Sequence, residues 1–413
     1  EDFLRSIVTL YRKAIDDYLR SPFTYWHKIE DFEKMYKERV RDFTTSVAFS
    51  HATSNVFDYT GNKEPLFLSR GAVEKNLSHE DLNENPFETD NSIPKNKKSL
   101  AVKVATMNAV KKALSAGADY VYLGAEVSPV RGEGWTKEDL QDAVDMAHDM
   151  GRKIAYGTPR ICTSRELSEI EWLFDIGSRV GVDGILVHNL GAIHCAKQFD
   201  LDMFADFSFN ILNTGSIEML EKLGVKRVTS SIESSFNDLE KLAILSTLPV
   251  ESIVHGSLPS MLLEHCLPAM LVTKTNAKSG CRLPCRYINY ALKDEKGEVR
   301  TIEVDQYCRN HIMFASDLCV LPYLNSFLMT DVDMFRIEAQ YYEDDLVETV
   351  VNQYRKRMDL LMENPSVFCP LPETEWNNLV VKSPKGLSLC AYSQNVTHSR
   401  STLEVMKKAT QTS

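Results

Sequence analysis

From Ser99 onward, short apolar or β-branched runs alternate with helical patterns at a regular interval: SLAVKV, YVYLG, KIAYG, GILVH, MFADF, RVTSS, SIVHG and, after a long interruption, DMFRIE. Between them lie amphipathic stretches such as MNAVKKALSAGA and KEDLQDAVDMAHDMG, several ending in Gly where a left-handed cap falls. Strand and helix alternating in this way give parallel strands, and eight such units close into a barrel. The sequence therefore predicts an α/β fold, a TIM-like parallel β/α barrel over residues 97–370, with an open doubly wound sheet as the alternative. The interruption, residues 261–315, has a different character: YINYALKDEKGEVRTIEVDQ reads as an antiparallel hairpin turning at Lys-Gly.

One internal repeat pairs IVTLYRKAIDDYLRSP, ending at Pro22, with VVNQYRKRMDLLMENP, ending at Pro365. Tyr11, Arg12, Lys13 and Asp16 fall in register with Tyr354, Arg355, Lys356 and Asp359. If the second copy follows a complete barrel, the first does too, and residues 1–70 are expected to be the C-terminal tail of a preceding, missing domain. Residues 71–96, rich in Asn, Asp, Pro and Lys, read as a linker, and residues 371–413 as a C-terminal tail.

The net charge of −11 repels phosphate backbones, so an RNA partner requires a local basic groove. No run of about 18 apolar residues occurs and the start is a charged amphipathic pattern, from which a cytoplasmic protein without membrane contact is expected. Nine cysteines, an odd number, argue for reduced thiols and candidate metal ligands over a disulfide framework. The G-x-x-x-x-G-K, H-E-x-x-H and G-x-S-x-G patterns are all missing, which removes support for P-loop, zincin and serine-elbow chemistry.

Cys266, Cys281, Cys285 and Cys308 lie in the interruption, and Cys319 follows in SDLC. Cys281 and Cys285 flank three residues on a Gly- and Pro-punctuated loop, a spacing that lets both thiolates face one metal. Cys266 with either Cys319 or Cys308 completes a set of four. Four thiolates suit zinc or an iron–sulfur cluster, and the irregular spacing favours the cluster. Cys162, Cys195, Cys369 and Cys390 are assigned to ordinary packing as small hydrophobes.

In a barrel, chemistry gathers where strand C-termini meet their loops. His255 closes the seventh run; Glu338 closes the eighth with Arg336 two residues earlier, giving a substrate anchor or acid/base pair, or else a salt bridge that closes the barrel. Arg286, beside Cys285, is placed to steady a cluster's charge or bind an anionic substrate. Asn210, Asn213 and His188 are candidate substrate contacts at the ends of the fifth and fourth runs. Asp317 reads as a helix cap.

Taken in order, ALSAGADYVYLG, GVDGILVHNLG, SIVHG, Cys266, CRLPCRY, SDLC and VDMFRIEAQYY resemble the collagenase-like peptidase family U32. The resemblance covers most of residues 97–370, and residues 1–60 resemble the end of a first family domain in a tandem chain. It implies a barrel with a four-iron, 4Fe-4S cluster and an oxygen-independent hydroxylation activity on RNA or another small aromatic substrate. A collagenase-like peptidase (hydrolase) and a non-catalytic cluster-holding module of a tandem protein are the alternatives. Carried across, the His-Gly motif is His255 and Gly256, the cluster ligands are Cys266, Cys281 and Cys285, and the last motif is Arg336, Ile337, Glu338 and Ala339. Pro259 stands where many members have a further Cys, so the fourth ligand is expected to be Cys319 or, failing that, Cys308. Arg336 and Ala339 replace the family's Lys and Gly.

Overall fold

All eight predicted runs are strands, because each buries its apolar residues on both faces. In the computed structural model they are β1 (Ser99–Val104), β2 (Tyr120–Leu123), β3 (Lys153–Gly157), β4 (Ile185–Val187), β5 (Met203–Ala205), β6 (Val225–Thr229), β7 (Val250–Gly256) and the last barrel strand, Met334–Glu338. The structure describes residues 2–21, 76–78, 80–83, 85–87, 97–128, 134–273, 281–294, 297–363 and 371–393. Cys369, Pro22, Pro365 and most of 1–70 lie outside these.

Consecutive strands pair in parallel, and the last pairs with both β1 and β7, so the sheet closes. The first helix, α1 (Asp2–Arg20), precedes the barrel in sequence, and helices return between the barrel strands: α2 (Met107–Ser115), α3 (Lys137–Asp149), α4 (Leu167–Val180), α5 (Leu190–Ala196), α6 (Thr214–Lys222) and α7 (Phe236–Leu245). The barrel's further helices are α8 (Leu324–Met329), α9 (Asp344–Glu363) and α10 (Glu373–Lys382). Side chains cap the starts: Thr136 and Asp139 form a reciprocal capping box on α3, and Asn189, Asn213 and Ser235 accept from the first turns of α5, α6 and α7.

The interruption is more than a hairpin. Strands β8 (Pro259–Leu263), β9 (Tyr290–Lys293), β10 (Val299–Val304) and β11 (Asn310–Met313) form a separate antiparallel sheet in the order β8-β11-β10-β9, with Gly297 in a left-handed turn between β9 and β10. A short β12 (Asp317–Cys319) then runs antiparallel to β7; the barrel's last strand is β13, and β14 (Leu387–Ser388) pairs with β12. Asp317 is therefore a strand residue, buried against Tyr342, and not the helix cap expected.

Two boundaries shift. Within the expected linker, the Leu77 N–H donates to the Leu387 carbonyl, and Phe87 packs 4.4 Å, centroid to centroid, from Phe236. Within the expected tail, Trp376, Leu379 and Tyr392 join the barrel's outer core. Polar, Pro-rich composition concealed single apolar anchors in both segments.

The chain divides into residues 1–71 and 72–413. Within the first unit, α1 pairs Arg12 with Asp16, as α9 pairs Arg355 with Asp359. The repeat differs in setting: Tyr11 is 45% exposed, while Tyr354 is fully buried against the barrel.

Closure depends on the approach of β7 to β13. Gly256 adopts φ +132°, and a Cβ there would overlap the Glu338 carbonyl oxygen and stand 2.7 Å from the Glu338 Cβ. Gly181, the left-handed cap of α4, has open space around it. Gly181→Ala is expected to cost about 1 kcal/mol, the penalty of a left-handed Ala alone. Gly256→Ala should cost several-fold more, since strands must separate; equal shifts in the urea midpoints of the two variants would contradict this reading of barrel closure.

Candidate functional site

Polar side chains occupy the barrel interior above an inner layer of Ala101, Tyr120, Tyr122, Ala155, Leu186, Phe204 and Met334. Alternation along each strand aims Lys103, Asp206, Glu251 and Arg336 inward. Arg336, fully buried, reaches Asp206 at 2.5 Å, Glu251 at 2.8 Å and Glu338 at 2.8 Å. Lys103 adds contacts of 3.5 Å to Asp206 and 3.9 Å to Glu338. Below them the Arg227 guanidinium lies 3.9 Å from the centre of the Phe204 ring and bonds the Tyr122 hydroxyl, which also donates to Glu251 at 2.5 Å.

Burial alone would raise the pKa of Asp206, but Arg336, His188 and Lys103 outweigh it and hold the carboxyl well below its ordinary range. Burial lowers and the surrounding carboxylates raise the Arg336 pKa, with a net rise, so this cation is permanent. Fully buried, it is engaged with three carboxylates and has no exposed face, an arrangement that matches the salt-bridge alternative for Arg336 and Glu338. Glu338 does stand at the strand end. Its Oε1 carries the Arg336 charge contact but receives no aligned hydrogen bond, and the buried Gln340 Oε1 nearby in sequence is likewise without a donor.

His188 lies beside Asp206, Nε2 to Oδ2 3.0 Å, with the Ser208 hydroxyl 3.0 Å from its Nδ1. Burial, aided by Lys103 and Arg160 and opposed by Asp206, pushes its pKa down to about 3. The imidazole is neutral at physiological pH and serves as a hydrogen-bonded wall of the network.

Other expected contacts go elsewhere. Asn213 spends its side chain on the α6 cap, and Asn210 accepts from Ser231 at 2.5 Å. His255 was expected at the mouth, but the β7–β13 pairing slips by one residue between Arg336 and Ile337. Such a slip reverses which face a side chain takes. His255 packs outward on Tyr342 and Tyr354, fully buried, with Nε2 unpartnered.

The second half of the site comes from the inserted sheet. Asp305 Oδ1 accepts the backbone N–H groups of Tyr307 and Arg309, each at 2.9 Å, and so templates a turn that carries Cys308 at φ +63°. Its other oxygen faces His311 Nε2 at 3.0 Å. Because a guanidinium only donates, the contact of Arg160 with His311 Nδ1 makes that nitrogen the acceptor and leaves the proton on Nε2. Arg160 in turn pairs with Glu126 at 2.9 Å. Burial would raise the Glu126 pKa, but Arg160, His311 and His188 bring it down to about 2. Gln306 clamps the loop after β2, accepting from the Val127 N–H at 2.9 Å and donating to the Ala125 carbonyl at 2.5 Å. The insertion is thus tied to the barrel mouth through Glu126, Arg160 and the loop following β2.

The same insertion gathers four thiols. Cys266 and Cys281 pack together with Cys308 against them, and Cys266, Cys281 and Cys285 all contribute to the field at Cys308. Asn310 ties the pieces: its Oδ1 accepts from Leu267 N–H at 2.8 Å, next to Cys266, and its Nδ2 donates to the Cys308 carbonyl at 3.3 Å. Burial first, then the neighbouring thiols, raises the Cys308 pKa to about 11. Cys319 is not among them. It sits on β12 opposite His255, its thiol against Tyr354, fully buried, with burial raising its pKa to about 12. Of the two expected fourth ligands, the structure therefore brings Cys308 to the set and leaves Cys319 in the barrel wall.

The donor set also bears on which metal fits. Tetrahedral zinc with Zn–S bonds of about 2.3 Å draws its sulfurs to roughly 3.8 Å. Among the described residues, no three cysteine sulfurs lie within 4.8 Å of one another; the one group that close is Glu126, Asp305 and His311, where Arg160 already supplies a cation. As placed, the thiols are not closed up around a single tetrahedral ion.

Sequence reading missed Asp206, Glu251, Lys103, Glu126, Arg160 and His311. A charge inside an otherwise apolar strand, as in SLAVKV and VESIV, was the available signal.

Two of the buried histidines, His188 and His255, set an acid limit. Both have folded-state pKa values near 3 against about 6.5 unfolded, so their contribution is full above pH 6.5 and is lost as pH falls toward 3. At pH 4.5 each is expected to have lost about 2 to 3 kcal/mol relative to pH 7.5. His255→Gln, which cannot titrate, should narrow the difference between urea midpoints at those two pH values; an unchanged difference would show that His255 is not buried neutral.

Comparison with known proteins adds the family. The profile of peptidase family U32 matches residues 105–388, from the end of β1 to β14. An uncharacterized protease of Methanocaldococcus jannaschii is 26% identical over 266 residues, 62% of this chain and 64% of the relative. A 23S rRNA 5-hydroxycytidine synthase of Escherichia coli is 24% identical over 255 residues, 61% of this chain and 38% of the relative. A tRNA hydroxylation protein of Bacillus subtilis is 21% identical over 285 residues, 68% and 67% of the two chains. The chain thus spans less than two thirds of the first two relatives. A solved U32 peptidase structure aligns with a TM-score of 0.37 at 13% identity, over 62% of this chain and 96% of that one. With the profile spanning barrel and insertion alike, the chain belongs to peptidase family U32.

Proposed function

We propose that the chain is an iron–sulfur enzyme that hydroxylates an unpaired RNA base, or another small aromatic substrate, without molecular oxygen. The observation that carries this reading is the convergence of four cysteines on an insertion that is itself anchored to the barrel mouth by Gln306 and His311. Cys266, Cys281, Cys285 and Cys308 would hold the cluster, which when bound supplies one-electron chemistry at that place. The protein's own groups do the rest: Glu338 Oε1 and Gln340 Oε1 offer buried acceptors to the amino or imino donors of a planar ring, and the contacts of Arg336 and Lys103 hold the Glu338 carboxyl in place. The names of the Escherichia coli and Bacillus subtilis relatives support RNA as the substrate class.

One observation favours a peptidase: Ser208, His188 and Asp206 form a hydroxyl–imidazole–carboxylate chain. The chemistry is poorly set. A general base works best with a pKa near the working pH, and His188 is held at about 3 by burial while Asp206 is committed to Arg336. The hydroxylation reading is therefore preferred.

Anaerobic purification followed by iron and sulfide analysis separates the ligand sets. Cys308→Ala is expected to lose most of its iron, whereas Cys319→Ala should retain it; the opposite pattern, or zinc in place of iron, overturns the cluster assignment. In cells lacking the protein, mass spectrometry of digested RNA should show a nucleoside that lacks one oxygen atom. RNA unchanged in every nucleoside, together with gelatin cleavage abolished by Ser208→Ala, would install the peptidase reading instead.

A further inference from the structure

The chain carries a net charge of −11, yet residues 265–293 contain Lys274, Lys278, Arg282, Arg286 and Lys293 and no Asp or Glu. This stretch includes three of the four thiols in the set, Cys266, Cys281 and Cys285. Its described part is rigidly built. Arg282 and Leu283 take left-handed backbone conformations, and the turn Pro284–Arg286 is closed by bonds from the Arg286, Tyr287 and Ile288 N–H groups to the Leu283 and Pro284 carbonyls. The geometry divides the side chains: Cys281 and Cys285 are buried, while Arg282, Arg286 and Tyr287 are exposed, Tyr287 at 83% and Ile288 at 54%.

The Tyr287 ring thus presents an open aromatic face, and neither flanking guanidinium has a hydrogen bond or ion pair within the described structure. The arginines at the barrel mouth and around the inserted sheet differ: Arg160, Arg309 and Arg336 have carboxylate partners. We infer that Arg282, Arg286 and Tyr287 form a docking platform for single-stranded RNA, the guanidinium groups meeting phosphates and the Tyr287 ring stacking on a base. This rests on the RNA-modification reading and gives it a location. An aromatic face flanked by cations suits unpaired nucleotides, because every base offers a π face and the backbone supplies the charge. The position suits the chemistry as well: an enzyme that takes a base into a pocket must hold the neighbouring nucleotides outside it, and this turn belongs to the insertion tied to the barrel mouth.

The test uses the full chain, purified anaerobically, and a fluorescein-labelled RNA of mixed sequence about a dozen nucleotides long, read by polarisation. Tyr287→Ala should weaken binding roughly tenfold and Tyr287→Phe should restore it. The double variant Arg282→Gln with Arg286→Gln should lower the slope of log K against log salt by roughly 1.4, two phosphate contacts at about 0.7 each. Melting temperatures and iron content equal to the parent chain show that the variants are folded and loaded. If the parent chain binds RNA and all variants bind equally well, the platform is refuted while the RNA reading stands. If the parent chain binds no RNA, both fall. Tighter binding of a polyglutamate peptide than of RNA, lost in the same variants, would make the platform a protein-docking surface and overturn the proposal.

Discussion

Three carboxylates, from Asp206, Glu251 and Glu338, converge inside the barrel because one fully buried guanidinium, Arg336, contacts all of them. Carboxylates this close repel one another strongly in a low-dielectric interior, and the guanidinium between them offsets that repulsion. Removing one member of a buried ionic set costs on the order of 3 to 5 kcal/mol, because the remaining charges are stranded. The polar mouth therefore exists only while Arg336 is in place. Lys103 and Arg227 extend the same balance upward and downward along the barrel axis, so that a chamber lined by acids is close to neutral as a whole.

The inserted sheet adds a second constraint, carried by Asp305. One carboxylate oxygen shapes the turn that presents Cys308, and the other fixes the tautomer of His311, whose far nitrogen meets Arg160 at the mouth. A single side chain thus couples the thiol set to the barrel. Asn310 performs the matching task between the Cys266 and Cys308 segments. Neither residue is a thiol ligand or a mouth acid, yet the relative placement of the two halves of the site rests on them.

Strand period and helix caps made the barrel legible in the sequence, since the eight runs needed only alternation and length to be recognised. Cysteine density located the thiol loop for the same reason: few other roles concentrate four cysteines in one insertion. What stayed hidden depended on three-dimensional register. His255 looked like a mouth residue until a one-residue slip turned it outward, and Cys319 looked like a fourth ligand until β12 paired back onto β7. Arg336 presented the same sequence whether it faced substrate or three acids. The antiparallel hairpin of the insertion was legible, but the place of Cys308 was not, because Cys308 reaches its partners through a left-handed turn whose template, Asp305, is an unremarkable surface-type residue in sequence.

These pieces make a division of labour: the barrel supplies a fixed polar mouth, the insertion supplies the thiols proposed to hold a cluster, and the junction between them is where substrate chemistry is proposed to occur. Anomalous diffraction at the iron absorption edge, from anaerobic crystals of the loaded protein, examines that junction directly. The account predicts one strong peak enclosed by the sulfurs of Cys266, Cys281, Cys285 and Cys308. A peak beside Cys319, a peak between Glu126, Asp305 and His311, or signal only at the zinc edge would contradict it.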